Sequence, residues 1–202
     1  DLAPDKQYYT NVRATDMVGN RSAAAASDGF QIDFTPPIIT STSIPSETTL
    51  PLTEGIVLSY EVSEVIQSAE VSVYSNEGTG VYDFDFAIID SLTIEISLPP
   101  PFTSGDMLKV LINNMKDRAD NTSLRYDYEY PISLLGDFDL DGSIGIQDFN
   151  TFATAWQNQD IRYELGPVVG EAPFFTPQFD GLYDLSDGMS FYFMWHWEQD
   201  QF

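Results

Sequence analysis

The sequence predicts a mainly β protein that ends in a small helical module. Two rhythms in the 202-residue chain support this prediction. Residues 38–130 alternate apolar and polar side chains, which is the period of a half-buried strand, most clearly at residues 92–98 and 126–130. After Ile132 the apolar residues follow a helical period instead.

The β region contains seven strand-like runs, separated by turns that contain Pro, Gly, Ser and Asn. Seven short strands at this spacing favour an immunoglobulin-like antiparallel β-sandwich over residues 36–132. Prolines at 36–37 and 99–101 interrupt the strands, because proline lacks the amide proton that strand pairing needs. The expected runs are residues 38–44, 56–62, 69–74, 82–89, 92–98, 108–113 and 126–130.

A short pattern near the start of the chain recurs at the end of the sandwich region. Asp16-Met-Val-Gly-Asn20-Arg-Ser22 and Asp117-Arg-Ala-Asp-Asn121-Thr-Ser123 share the pattern D-x-x-[GD]-N-x-S at an offset of 101 residues. Both segments resemble the last hairpin of bacterial fibronectin type III and immunoglobulin-like repeats. The resemblance implies that residues 1–35 are a partial fibronectin-like strand pair, the C-terminal strands of an incomplete domain.

Two strands cannot bury a hydrophobic core alone, so residues 1–35 need an explanation. One explanation is that a longer protein was cut in an exposed interdomain segment. The other is that residues 8–34 complete a sheet of another chain by strand addition. The sequence leaves both open, and cutting is the simpler of the two.

The most specific motif is the twelve-residue run Asp137-Phe-Asp-Leu-Asp-Gly-Ser-Ile-Gly-Ile-Gln-Asp148. Its oxygen-bearing side chains stand at positions 1, 3, 5 and 12, and Gly142 stands at position 6, which is the ligand order of an EF-hand calcium loop. Alternate carboxylates can converge on a hard cation while the glycine makes the sharp turn. The sequence therefore predicts a Ca²⁺ site. Its expected ligands are Asp137, Asp139, Asp141, the Ser143 carbonyl and Asp148.

The loop and its helix are duplicated 39 residues further along the chain. The two copies share the pattern D-G-x-Φ-x-Φ-x-D-x3-F-x3-W, in which Φ is apolar. This duplication resembles a dockerin module, whose two loop–helix repeats pack antiparallel. The resemblance implies that residues 133–202 form a small α-helical module that binds calcium and docks onto a cohesin partner.

The second loop departs from the calcium pattern. Thr176 and Gln178 stand where positions 1 and 3 should be acidic, and carboxylates remain only at positions 5, 9 and 12. Such a loop could bind calcium weakly, recruit Glu164 or Glu171 from the preceding segment, or keep its shape by packing alone. The remaining candidate ligands are Asp180, Asp184 and Asp187.

In dockerins, loop positions 10 and 11 help to select the cohesin. The resemblance therefore implies partner contacts at Ile146, Gln147, Leu185 and Ser186. The alternative is that Ile146 and Leu185 enter the module's own core, and the helical stripe formed by residues 146, 149, 152, 153 and 156 favours that alternative.

Composition excludes several classes of function. The chain has 32 acidic and 8 basic residues and a net charge of −24, so it repels nucleic acid and anionic membranes. It has no cysteine and one histidine, His196, which excludes thiolate and histidine-rich metal sites. No stretch is long and apolar enough to suggest a membrane span, and no catalytic triad can be assembled.

These observations favour a noncatalytic bacterial protein, secreted or displayed at the cell surface, whose calcium module attaches it to a protein partner. That partner would be a cohesin-like receptor or a neighbouring subunit. One alternative is a structural subunit or stalk of an extracellular filament or adhesin. Another is the accessory tail of a secreted hydrolase.

Overall fold

The computed structural model describes residues 2–3, 6–75 and 82–200. The chain begins with a long hairpin whose two arms pair in two short ladders and at one further bridge, Thr15–Arg21. The paired segments are β1 (Gln7–Tyr8) with β4 (Phe30–Gln31), and β2 (Asn11–Val12) with β3 (Ala25–Ala26). The predicted strand pair at the start of the chain is therefore present.

Seven further strands form two antiparallel sheets. They are β5 (Ile39–Thr42), β6 (Ile56–Val62), β7 (Ile66–Ser75), β8 (Asp85–Ile89), β9 (Thr93–Leu98), β10 (Met107–Asp117) and β11 (Tyr126–Pro131). One sheet has the order β5-β6-β9-β8 and the other the order β11-β10-β7. These are the A-B-E-D and G-F-C orders of an immunoglobulin domain. The predicted immunoglobulin-like β fold is thus confirmed.

Strand bounds differ from the expected runs mainly in β10. The alternating pattern predicts a strand that ends at residue 113, whereas β10 continues to Asp117. The register between β10 and β7 shifts twice after Asn113, and Asn114 has a φ of 49°. An irregularity of this kind interrupts the alternation of side chains, so the period of two cannot reveal the end of the strand.

The core of the sandwich comes from the inward residues of both sheets. In β6, residues 56, 58, 60 and 62 are buried while their neighbours are more exposed. The hydroxyl oxygens of Tyr60 and Tyr130 lie 3.1 Å apart and share a hydrogen bond between the sheets. Both hydroxyls are buried, and this burial raises the pKa of each tyrosine. The hydrogen bond lets two polar groups lie in the core without an unpaired donor.

The C-terminal module consists of two helices joined by an irregular connector. Its elements are α1 (Ile146–Asn158), a 3-10 turn (Ile161–Tyr163), β12 (Val168–Val169), β13 (Thr176–Pro177) and α2 (Leu185–Gln199). The rings of Phe152 and Phe191, which are equivalent in the duplication, stack with centroids 4.6 Å apart. Within the described residues, neither helix has the length and apolarity needed to cross a bilayer.

The module packs directly against the sandwich. The short β12–β13 hairpin supplies two polar contacts: Ser104 N donates to Phe175 O at 2.8 Å, and the hydroxyls of Thr103 and Thr176 lie 3.0 Å apart. Leu165 and Phe175 of the connector are buried in the same apolar cluster as the sandwich core. The sandwich and the module therefore share a buried interface.

The sandwich core is tested by two identical substitutions. Val73→Ala removes two buried methyl groups and should lower the free energy of unfolding by about 2 kcal/mol. The side chain of Val57 is 50% exposed, so Val57→Ala should change this free energy by about 0.5 kcal/mol or less. Urea denaturation followed by circular dichroism measures both. Equal losses would mean that Val73 does not face the core.

Candidate metal centre

Three carboxylates of the first loop, residues 137–148, converge. Asp137, Asp139 and Asp141 each place an oxygen within 4.8 Å of the others. Asp137 is buried, while the other two are exposed. None of the ion pairs found among the described residues involves these three groups. The loop therefore concentrates negative charge and oxygen ligands of the kind that Ca²⁺ prefers.

Backbone hydrogen bonds hold the loop in this shape. Asp137 accepts hydrogen bonds from the amides of Asp141 at 3.2 Å and Gly142 at 3.0 Å. Gly142 has a φ of +88°, which side chains rarely allow, and this explains the glycine at the turn. Asp148 accepts from the amides of Phe138 at 2.7 Å and Gly145 at 2.8 Å. It thereby joins the beginning of the loop to the start of α1.

Burial and neighbouring negative charges disfavour the ionised form of Asp137 in the first loop. Burial, helped by the nearby carboxylates of Asp148 and Asp141, raises the pKa of Asp137 to about 6 against the opposing effect of the Gly142 and Asp141 amides. A buried carboxylate beside like charges is stabilised by a bound cation. Asp137, Asp139 and Asp141 therefore fit a divalent ion by charge and by donor type. The predicted ligand Asp148 is not part of this cluster, and both of its carboxylate oxygens accept loop amides.

The second loop repeats the closing contacts of the first. Asp187 accepts hydrogen bonds from the amides of Leu165 at 2.7 Å and Asp184 at 2.6 Å, as Asp148 does in the first loop. Gly181 has a φ of +78°, close to that of its counterpart Gly142. Both helices carry the corresponding aspartate in their first turn. The duplication seen in the sequence therefore extends to the backbone.

Glu164 occupies the place in the second loop that Asp137 occupies in the first. Its side chain is buried and accepts hydrogen bonds from the amides of Asp180 at 2.5 Å and Gly181 at 3.0 Å. Counting back along the chain places Thr176 at this position, but Thr176 lies in β13 and contacts the sandwich. The β12–β13 hairpin is thus inserted within the loop, and the insertion explains why spacing alone assigns the wrong first residue.

The other candidate ligands of the second loop differ in their surroundings. Asp180 is exposed and accepts a hydrogen bond from the amide of Leu182 at 2.9 Å. Asp184 caps α2 and accepts from both the amide and the hydroxyl of Ser186 at 2.8 Å. These hydrogen bonds lower the pKa of Asp184. Asp184 therefore already has a structural role at the start of the helix.

The residues predicted to contact a partner lie at the surface. The helical stripe predicts that Ile146 and Leu185 enter the module's core. This prediction is wrong, because Ile146 is 60% exposed and Leu185 is 73% exposed. Gln147 is exposed and Ser186 is half-buried. The buried face of α1 consists instead of Asp148, Phe152 and Ala155. A shallow apolar trough between the helices is lined by Ile146, Phe149, Gly188, Phe191, Tyr192 and Trp195.

A second group of carboxylates lies between the segment that follows β4 and the sandwich. Asp33, Glu64 and Asp117 place oxygens within 4.8 Å of one another. Burial, followed by the charges of Asp33 and Asp117, raises the pKa of Glu64. Asp117 accepts hydrogen bonds from the amides of Ala119 and Asn121 and from the Asn121 side chain. Its carboxylate is therefore accounted for by the turn that follows β10.

Comparisons with known proteins give little further guidance. No family model matches the chain, and no curated protein matches it. Among solved structures, the chain is similar to the crystal structure of the Lin-41 filamin domain, with a TM-score of 0.34 and 12% identity over 48% of this chain and 97% of that chain. The assignment of the fold therefore rests on the strand order described above.

The pKa of Asp137 predicts how pH affects the metal-free protein. This carboxyl has a pKa of about 6 in the folded chain and a reference value of 3.8, so the proton binds more tightly to the folded state. The resulting stabilisation is present below about pH 4 and is lost as the pH rises through 6. Thermal unfolding in metal-free buffer should show this loss in the wild type but not in Asp137→Asn. Parallel pH profiles for the two proteins would contradict the assignment.

Proposed function

We propose that this chain is a noncatalytic, extracellular calcium-binding protein whose C-terminal dockerin-like module attaches it to a protein partner. The observation that carries this proposal is the convergence of Asp137, Asp139 and Asp141 in a loop with EF-hand ligand order. None of the ion pairs among the described residues neutralises the buried Asp137, so a bound cation would stabilise its charged form.

In the proposed mechanism, calcium organises the first loop. Asp137, Asp139, Asp141 and Asp148 would supply carboxylates, and Ser143 would supply its carbonyl oxygen. Bound calcium would neutralise the repulsion among these groups. Because the unfolded chain lacks this arrangement, calcium would stabilise the folded module by mass action.

The second loop would bind calcium more weakly than the first, with Glu164 as its first ligand. Asp180 and Asp187 would provide the fifth and twelfth ligands. Gln178, an exposed amide that follows the inserted hairpin, stands at the third position. Because affinity depends on the number of charged ligands, this loop should fill after the first.

Attachment would use the exposed residues that follow each loop. Ile146 and Gln147 begin α1, and Leu185 and Ser186 begin α2, so calcium binding in each loop would fix the position of these side chains. Two exposed aliphatic residues would form apolar contacts with a cohesin-like receptor. Calcium dependence is typical of proteins that work in the calcium-rich extracellular medium, and we place the chain at a bacterial surface.

A structural role in a filament or adhesin is the second candidate function. The observation that favours it is the buried junction between the module and the sandwich, which includes the Ser104–Phe175 hydrogen bond and the Thr103–Thr176 contact. Calcium in the adjacent loops would make this junction rigid. A stalk that bears load needs a rigid junction of this kind more than a flexible attachment module does.

The first calcium site is tested by replacing an exposed ligand. Asp139→Asn should weaken calcium binding at least about tenfold because it removes one of the converging charges. Asp120→Asn, at an exposed site in the turn after β10, is the matched control and should leave binding unchanged. Isothermal titration calorimetry measures both. If wild type shows no calcium-dependent heat, the proposed function is wrong.

The second calcium site is tested at Glu164. Glu164→Gln keeps an oxygen that can accept the amides of Asp180 and Gly181 but removes the charge, so the weaker of two calcium-binding events should disappear while the first remains. Glu171→Gln changes an exposed carboxylate on the inserted hairpin and should leave both events in place. If the weaker event persists in Glu164→Gln, Glu164 is not a ligand.

A further inference from the structure

A groove lies between α2 and the inserted β12–β13 hairpin, and none of the proposed calcium ligands lines it. Its volume is about 660 Å³, which is within the usual range for a small-molecule site. One wall is formed by the hairpin and the residues that join its two strands, and the other is a single face of α2. We call this cavity the aromatic groove, and its α2 wall consists of Tyr192, Phe193, His196, Trp197 and Asp200.

The aromatic character of the α2 wall belongs to the second repeat alone. Both helices carry the pattern F-x3-W, whose phenylalanines stack between them. The other aromatic residues of α2 have small or polar equivalents in α1, 39 residues earlier. The equivalents of Tyr192, Phe193, His196 and Trp197 are Ala153, Thr154, Gln157 and Asn158. Since α1 forms with those residues, a helix of this module does not need rings at these positions.

The rings of the groove are exposed and steeply inclined to one another. Tyr192 is 54% exposed and Phe193 is 44% exposed. The centroids of these two rings lie 5.8 Å apart at an interplanar angle of 61°, and the rings of Phe175 and Phe193 lie 6.4 Å apart at 53°. Rings at such angles point their faces in different directions. Each face carries partial negative charge and attracts a cation.

Charged groups at the groove also favour a cation. Glu171, in the hairpin wall, is exposed, and none of the ion pairs found among the described residues involves it. Asp200 lies 3.0 Å from Nδ1 of His196. No lysine or arginine is found among the described residues that line the groove, so its net charge is negative even when His196 is counted as a cation. The net charge of −24 on the whole chain further opposes an anionic ligand.

The aromatic lining selects one class of cation. A trimethylammonium group carries its charge on an apolar surface without N–H donors, so rings can surround it without leaving a donor unpaired. A lysine ammonium has N–H donors that need acceptors, and a metal ion needs several oxygen ligands. Aromatic faces replace neither of these, and therefore a quaternary ammonium fits the groove better than either.

We propose that the aromatic groove binds a free quaternary ammonium compound such as choline. The rings of Tyr192 and Phe193 contact the cation, and the carboxylate of Glu171 balances its charge from the hairpin wall. The acidic surface of the chain repels the phosphate of a phosphocholine group, so the free cation binds more tightly than this zwitterion. The proposal does not rest on calcium binding, because no proposed calcium ligand lines the groove.

Titration of the isotopically labelled protein, followed by NMR at constant ionic strength, measures the affinity for each ligand. Choline should shift the indole N–H signal of Trp197 in a saturable manner. The neutral analogue of choline, in which a tert-butyl group replaces the trimethylammonium group, has the same shape and should bind at least about tenfold more weakly. Phosphocholine should also bind more weakly than choline. Equal affinity for choline and its neutral analogue would mean that the groove selects apolar shape alone, and would overturn the proposal.

Two variants test the residues that carry the proposal. Phe193→Leu keeps an apolar side chain but removes the ring, and Glu171→Gln removes the charge in the hairpin wall. Each should weaken choline binding at least about threefold. The matched controls are Phe86→Leu, at a ring of β8 that is 43% exposed, and Glu54→Gln, at an exposed site of the sandwich, and both should keep the wild-type affinity.

Circular dichroism shows whether each variant is folded, and Glu171→Gln, at an exposed site, keeps the test available if Phe193→Leu does not fold. Calcium titration of the same proteins separates this proposal from the proposed function, since choline binding should remain where calcium binding fails. A wild type without a saturable shift, an unchanged affinity in a folded groove variant, or an equal loss in the controls would each overturn the proposal.

Discussion

The central physical constraint in this chain is the crowding of carboxylates in the first loop. Asp137, Asp139 and Asp141 hold oxygens within 4.8 Å of one another, and burial raises the pKa of Asp137 to about 6. The loop cannot spread to relieve this repulsion, because Asp148 accepts the amides of Phe138 and Gly145 and fixes both ends. A divalent cation would relieve the repulsion among these carboxylates without a change in the loop, since it supplies positive charge and binds several oxygen ligands.

The rest of the module is built outward from the two loops. Each helix starts directly after its loop, and the stacked rings of Phe152 and Phe191 join the helices at equivalent positions. The second loop contains an inserted hairpin that contacts the sandwich through Phe175 and Thr176. A change in the second loop would therefore reach both the exposed start of α2 and the junction with the β domain.

Much of the fold could be predicted from the sequence, because alternating side chains directly indicate strands with one buried face. The end of β10 could not, because the irregularity after Asn113 interrupts that alternation. Spacing revealed the first loop but assigned Thr176 to the first position of the second loop. Glu164 was only one of several alternatives there, because the inserted hairpin separates it from Asp180 in the chain. Periodicity identified the apolar face of α1 but not which of its residues are buried, and Ile146 and Phe149 are in fact 60% and 45% exposed.

Hydrogen–deuterium exchange of residues 137–148, measured by mass spectrometry with calcium and with chelator, tests the central claim most directly. Amides of Asp141, Gly142 and Gly145 donate to loop carboxylates, so a cation that fixes those carboxylates should slow their exchange severalfold. Strand β6, which lies in the sandwich core, should exchange at the same rate in both conditions. Exchange in the loop that is identical with calcium and with chelator would contradict the account.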